Sequence, residues 1–115
     1  MKYILLIYGN EAEGAKQSPD QTGTMLQEYG AFTESIRQKG QLVGGERLRP
    51  ASMASTVQVR HGKTLAVDGP FAETKEQLGG FYIVETKDID EARGLAARIP
   101  GARTGSVEIR PIWVM

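Results

Sequence analysis

Residues 68 to 80, Asp-Gly-Pro-Phe-Ala-Glu-Thr-Lys-Glu-Gln-Leu-Gly-Gly, form a dense polar segment between two strand-like runs. An aspartate, two glutamates, a threonine and a lysine stand beside a Gly-Pro corner and a Gly-Gly pair, which marks a shaped loop rather than a passive linker. Asp68 is the leading candidate for proton transfer, because an aspartate at a strand end, enclosed by a turn and desolvated, can work as a general acid or base. The structural alternative is that Asp68 accepts hydrogen bonds from the amides of its own turn and is inert. Glu73, Thr74, Lys75 and Glu76 can orient a polar substrate or pin the loop with salt bridges, which at a surface contribute little. As an amine nucleophile, Lys75 would need burial, and the flanking glutamates favour its charged form instead.

Outside that stretch the candidates are sparse. Arg47, Arg49 and Arg110 can clamp a carboxylate if their strands converge, or form salt bridges between subunits. The single histidine, His61, lies next to Gly62 and reads as an exposed turn residue. One histidine and no cysteine leave no transition-metal site, and no calcium-loop or phosphate-loop spacing is present. The expectation is therefore no metal and no cofactor.

The elements that must position these groups follow from periodicity. Lys2 to Tyr8 and Gly80 to Glu85 are apolar at both parities and read as central strands. Gly9 to Ser18 reads as a loop. Ser18 then caps a helix running to about Lys39, with Pro19 at its first position, an apolar stripe of Met25, Tyr29, Phe32 and Ile36, and Gly40 as the stop. Gln41 to Leu48 is a strand in which Gly44-Gly45 permits a bend. Thr56–Arg60 and Thr64–Val67 form a hairpin across His61-Gly62-Lys63. A second helix starts at Asp88 and ends at Pro100-Gly101, and residues 106 to 114 alternate as a last strand, with Val107, Ile109 and Trp113 on one face and Pro111 marking an edge.

This order, β-α-β, hairpin, β-α-β, predicts one α+β domain over residues 1–115, a ferredoxin-like split βαβ with an inserted β-hairpin. Right-handed crossovers put both helices on one face of an antiparallel sheet. Two strands with apolar residues at both parities then leave the other face needing cover, and a second copy supplies it, giving a homodimer that closes an α+β barrel.

Composition sets the outer limits. At 115 residues one core is affordable, and 14 basic against 14 acidic residues give no net field for nucleic acid or an anionic membrane. The absence of cysteine excludes disulfides and thiolate chemistry. The opening run Tyr3–Tyr8 is too short for a membrane span and lacks a cleavage site, so the expectation is a cytoplasmic protein.

The chain resembles the YCII-related superfamily in its DGPF-domain branch. Residues Asp68 to Phe81 match that branch's signature, and Met1–Tyr8 and Gly105–Trp113 resemble its two ends, so the resemblance spans the chain. It implies a ferredoxin-like protomer in a dimeric α+β barrel with the signature loop lining a cleft. The wider superfamily includes cofactor-independent enzymes acting on small ring compounds through a His-Asp pair, and some DGPF members are linked to sigma-factor regulation. Here Tyr29 stands about where that histidine is expected. Two functions therefore stay open: a small-molecule-binding protein that acts as a cofactor-independent enzyme through Asp68, or a non-catalytic regulatory or binding partner, with a link to sigma-factor-dependent transcription.

Overall fold

Alternation along the first strand decides how the layers assemble. In β1 (Lys2–Gly9) Tyr3 and Leu5 are buried, whereas Ile4 and Leu6 between them are only half-buried, so the strand has one dry face and one open face. The computed structural model describes residues 1–114. After β1 the chain forms α1 (Glu11–Gly14), α2 (Pro19–Gln38), β2 (Leu42–Arg47), a short 3₁₀ turn at Ala51–Met53, β3 (Ser55–Arg60), β4 (Lys63–Asp68) and β5 (Gln77–Glu85). It finishes with α3 (Ile89–Arg98), a 3₁₀ turn at Pro100–Arg103 and β6 (Ser106–Pro111).

β1 and β5 occupy the centre of a four-stranded antiparallel sheet of order β2-β5-β1-β6, the ferredoxin-like arrangement. Among the described residues β3 and β4 pair only with each other, as a separate two-stranded ribbon. Both long helices lie on the dry face. Phe32 and Ile36 of α2 and Ala92 and Leu95 of α3 share one core with Tyr3, Leu5 and Val84. Its fully buried side chains, Leu5, Ile36, Val84 and Ile99, each contribute about 1.5–3 kcal/mol through burial.

The helix ends are specified locally. Ser18 Oγ accepts from the Gln21 N–H at 3.1 Å while Gln21 Oε1 accepts from the Ser18 N–H at 2.9 Å, a reciprocal capping box ahead of Pro19. At the other end Gly40 takes φ +71°, and the Gln41 and Gly40 amides donate to the Ile36 and Arg37 carbonyls, closing a Schellman motif. Asp88 caps α3 by accepting from the Glu91 N–H at 2.9 Å.

Sequence expectations need four corrections. The stretch Gly9–Ser18 is not all loop, because Asn10 caps the single turn α1 by accepting from the Glu13 N–H. β5 begins at Gln77, so the last four residues of the polar stretch are strand. β6 stops at Pro111, which leaves Trp113 88% exposed instead of sharing a face with Val107 and Ile109. The hairpin turn has two residues rather than three. His61 and Gly62 both take positive φ, at 52° and 74°, the mirror-image geometry that matches strand twist, and Lys63 is already paired with Arg60.

The folded chain is unusually open for its size. Its accessible surface is 8375 Å², whereas a compact monomer of this mass exposes about 6,200 Å². Its radius of gyration is 16.1 Å, against about 13 Å for a compact domain of similar length. Exposed apolar side chains gather on the β3–β4 ribbon, at Val57, Val59, Leu65 and Val67, and also occur at Phe71 and Trp113, while the sheet face opposite the helices leaves Ile4, Leu6, Phe81 and Ile83 half-buried. Among the described residues no helix is long and apolar enough to cross a membrane.

Candidate functional site

The polar stretch bridges the ribbon and the sheet, and its two ends are held differently. At the ribbon end Gly69 takes φ +101°, which favours glycine; its N–H donates to the Ala54 carbonyl at 2.6 Å and its own carbonyl accepts from Thr56 Oγ1 at 2.8 Å. At the sheet end side chains form the ties. Gln77 Oε1 accepts from the Glu11 N–H at 2.9 Å, and Gln77 Nε2 donates to the Thr74 carbonyl at 2.6 Å. Glu11 extends the chain of contacts by accepting the Ala51 N–H on Oε1 at 2.9 Å. Glu76 Oε1 accepts from Ser106 Oγ at 3.0 Å, tying the loop to the start of β6. The loop is thus fastened to the exit of β1, the β2–β3 connection and β6.

Between those ties Glu73, Thr74 and Lys75 are exposed, with the Thr74 hydroxyl donating to the Glu76 carbonyl. Asp68, the last residue of β4, is exposed opposite Ser55. The structure separates the two arginines. Arg47 stands on edge strand β2 opposite Gly80, which pairs in turn with Ile7 on the helix side. Arg110 stands on the other edge strand, β6, opposite Ile4 on the open side. Three strand spacings, about 14 Å, and the thickness of the sheet keep them apart, so within one protomer they do not converge on one carboxylate. His61 is exposed at the tip of the ribbon.

Gly45 and Gly80 let β2 approach β5. A Cβ on Gly45 would lie 2.8 Å from the Phe81 carbonyl oxygen, and one on Gly80 would lie 2.9 Å from that of Glu46. Register shifts at Val43 and Gly79 accompany this approach and set where Arg47 falls.

Tyr29, at the position where a histidine was expected, serves the scaffold. Its hydroxyl accepts from the Gly101 N–H at 3.1 Å and so holds the turn after α3 against α2. Burial pushes the Tyr29 phenol above its usual pKa of 10, opposed in part by that hydrogen bond and by the Arg103 and Arg47 charges. Nearby, the Thr33 and Tyr82 hydroxyls lie 2.7 Å apart. An open groove of about 460 Å³ runs beside α2 and the Pro100–Arg103 turn, but its charges are already engaged. Arg103 pairs with Glu28 at 2.6 Å and holds that carboxyl below the usual range, while Arg98 sits over the Phe32 ring at 5.3 Å.

Sequence reading singled out the exposed members of the loop together with Glu76, and missed Glu11, Gln77 and Ser106, which fasten it. Their partners lie 30 to 66 residues away, and no local pattern pairs them.

Fold and loop together define a ferredoxin-like α+β protein whose polar loop is fastened across one end of its sheet. The YCII-related domain family matches residues 1–115, and the chain belongs to that family. The uncharacterized protein R00369 of Rhizobium meliloti (strain 1021) is 36% identical over 114 residues, covering 97% of this chain and 92% of that relative.

Proposed function

We propose that the protein is a homodimer that binds a small polar or ring-bearing molecule beside the polar loop and acts on it without a cofactor, Asp68 moving the proton. Glu73, Thr74 and Lys75 contact the ligand, and Arg47, on the same end of the sheet, supplies a positive charge. Arg110, on the other edge and face, serves contacts between subunits. The observation that supports this reading is the contrast within the loop: Glu76, Gln77 and the Thr74 hydroxyl fix its backbone while the charged side chains of Glu73 and Lys75 stay exposed. A fixed backbone with uncommitted polar groups is preorganised for a ligand. The Asp-Gly-Pro-Phe sequence at 68–71 supports reading the chain as a member of the DGPF branch of its family. The second copy closes the α+β barrel over Ile4, Leu6, Phe81 and Ile83.

The exposure of Asp68 in the single chain favours a second reading, a non-catalytic binding or regulatory protein using the same surface, with sigma-factor-dependent transcription as its setting. A thermal-shift screen with small carboxylates and phenols separates the two. A ligand at a hundredfold its Kd adds about 2.7 kcal/mol, and turnover of that ligand lost in Asp68→Asn with binding retained supports catalysis. Binding with no turnover in either protein supports the second reading.

A further inference from the structure

Cα pairing in the β3–β4 ribbon sorts its side chains onto two faces, because directly opposed residues of an antiparallel pair share a face. One face carries Val57 with Ala66 and Val59 with Thr64, and at its base Ser55 with Asp68. The other carries Thr56 with Val67, Gln58 with Leu65 and, at the tip, Arg60 with Lys63. The first face has no charge from the tip down to Asp68, yet Val57 and Val59 are 60% and 59% exposed. An isolated two-stranded hairpin is at best marginally stable in water, so a ribbon with a bare apolar face is short of a packing partner.

We infer that the Val57–Val59 face docks on a second copy of this chain, and that the docked partner encloses the Asp68 carboxylate and completes the site. This rests on the homodimer proposed above and deepens it: each cleft is built from two chains. The area identifies the occupant. The excess over a compact monomer, about 2,000 Å², is more than twice the roughly 800 Å² that each partner loses in a standard interface. The open sheet face and the ribbon together therefore carry enough surface for one large two-fold contact, in which each chain gives and receives a ribbon. Charge agrees with the same occupant. The docking face carries no charge above Asp68 and the chain as a whole is neutral, so two copies do not repel. Asp68 shares the docking face, which explains how a residue exposed in one chain is desolvated in the assembly.

The chain has no cysteine, so single thiols report access cleanly. Val59→Cys and Ser55→Cys probe the docking face at its middle and base, Gln58→Cys probes the opposite face, and each is reacted with a small thiol reagent while sedimentation records the oligomeric state. In the dimer the first two are expected to react about tenfold or more slowly than Gln58→Cys, and dilution to monomer is expected to make all three equal. Thr64→Cys, opposite Val59, replaces it if that variant fails to assemble. A dimer in which the rates are already equal overturns the docking inference and leaves the homodimer standing. A chain that sediments as a monomer at tens of micromolar overturns both.

Discussion

Val84 and Val59 are both valines inside antiparallel strands, and their surroundings are opposite. Val84, in β5, is fully buried beneath two helices, whereas Val59, in β3, is 59% exposed on a ribbon that pairs only with itself. Both segments form strands, but only β5 has a layer of helices to bury against. The body of the molecule is therefore held by its own core, and the ribbon by cross-strand hydrogen bonds, the His61-Gly62 turn and the bonds at Gly69. The polar loop joins these two regimes.

The comparison is broken most directly by truncating each valine. Val84→Ala removes two methyl groups from a filled site, and the transfer and cavity contributions together predict a loss of about 2–3 kcal/mol in chemical unfolding. Val59→Ala, in chain diluted to monomer, is expected to change stability by less than about 0.5 kcal/mol. Equal losses would mean that the ribbon packs on its own body.

A smaller effect tests the joint between the two. Gln77→Ala deletes the acceptor of the Glu11 N–H and the donor to the Thr74 carbonyl, partly buried and exposed respectively. Two such bonds predict a loss of about 1–2 kcal/mol, with faster amide exchange at Glu11. Exchange across β1 and α3 is expected to stay unchanged, because their protection comes from the core. If exchange rises uniformly instead, the loop is part of the body rather than a separately fastened segment.

The same contrast explains what could be read from the residues alone. Strands β1 and β5, both long helices and their caps carry local signals: parity, a three-to-four step apolar stripe, Ser18-Pro19, Gly40 and Asp88. So does the hairpin, through its glycine turn. The start of β5 was hidden because Gln77-Leu78-Gly79-Gly80 has the composition of a loop, and its strand character comes from pairing with β1 and β2. The turn α1 was hidden for the opposite reason, being four residues held by one cap. At the site, residue types identified the loop, but the separation of Arg47 from Arg110 depends on strand order and face, which no spacing encodes.

The finest test lies in Tyr29, which links α2 to the turn that follows α3 entirely within the body. Tyr29→Phe removes the acceptor of the Gly101 N–H and predicts a loss of about 1 kcal/mol at neutral pH. Its pH dependence carries a sign. Burial is the largest influence on the phenol and raises its pKa above 10, so the folded state favours the protonated form more than the unfolded chain does. That contribution is fully present below pH 10 and is lost as pH rises through the elevated folded value. The stability difference between the native protein and Tyr29→Phe should therefore be constant from pH 7 to pH 9 and shrink above pH 10. A difference that widens with alkaline pH would mean that the Gly101 amide stabilises the phenolate more than burial disfavours it, making Tyr29 an anion-holding site rather than a structural tie.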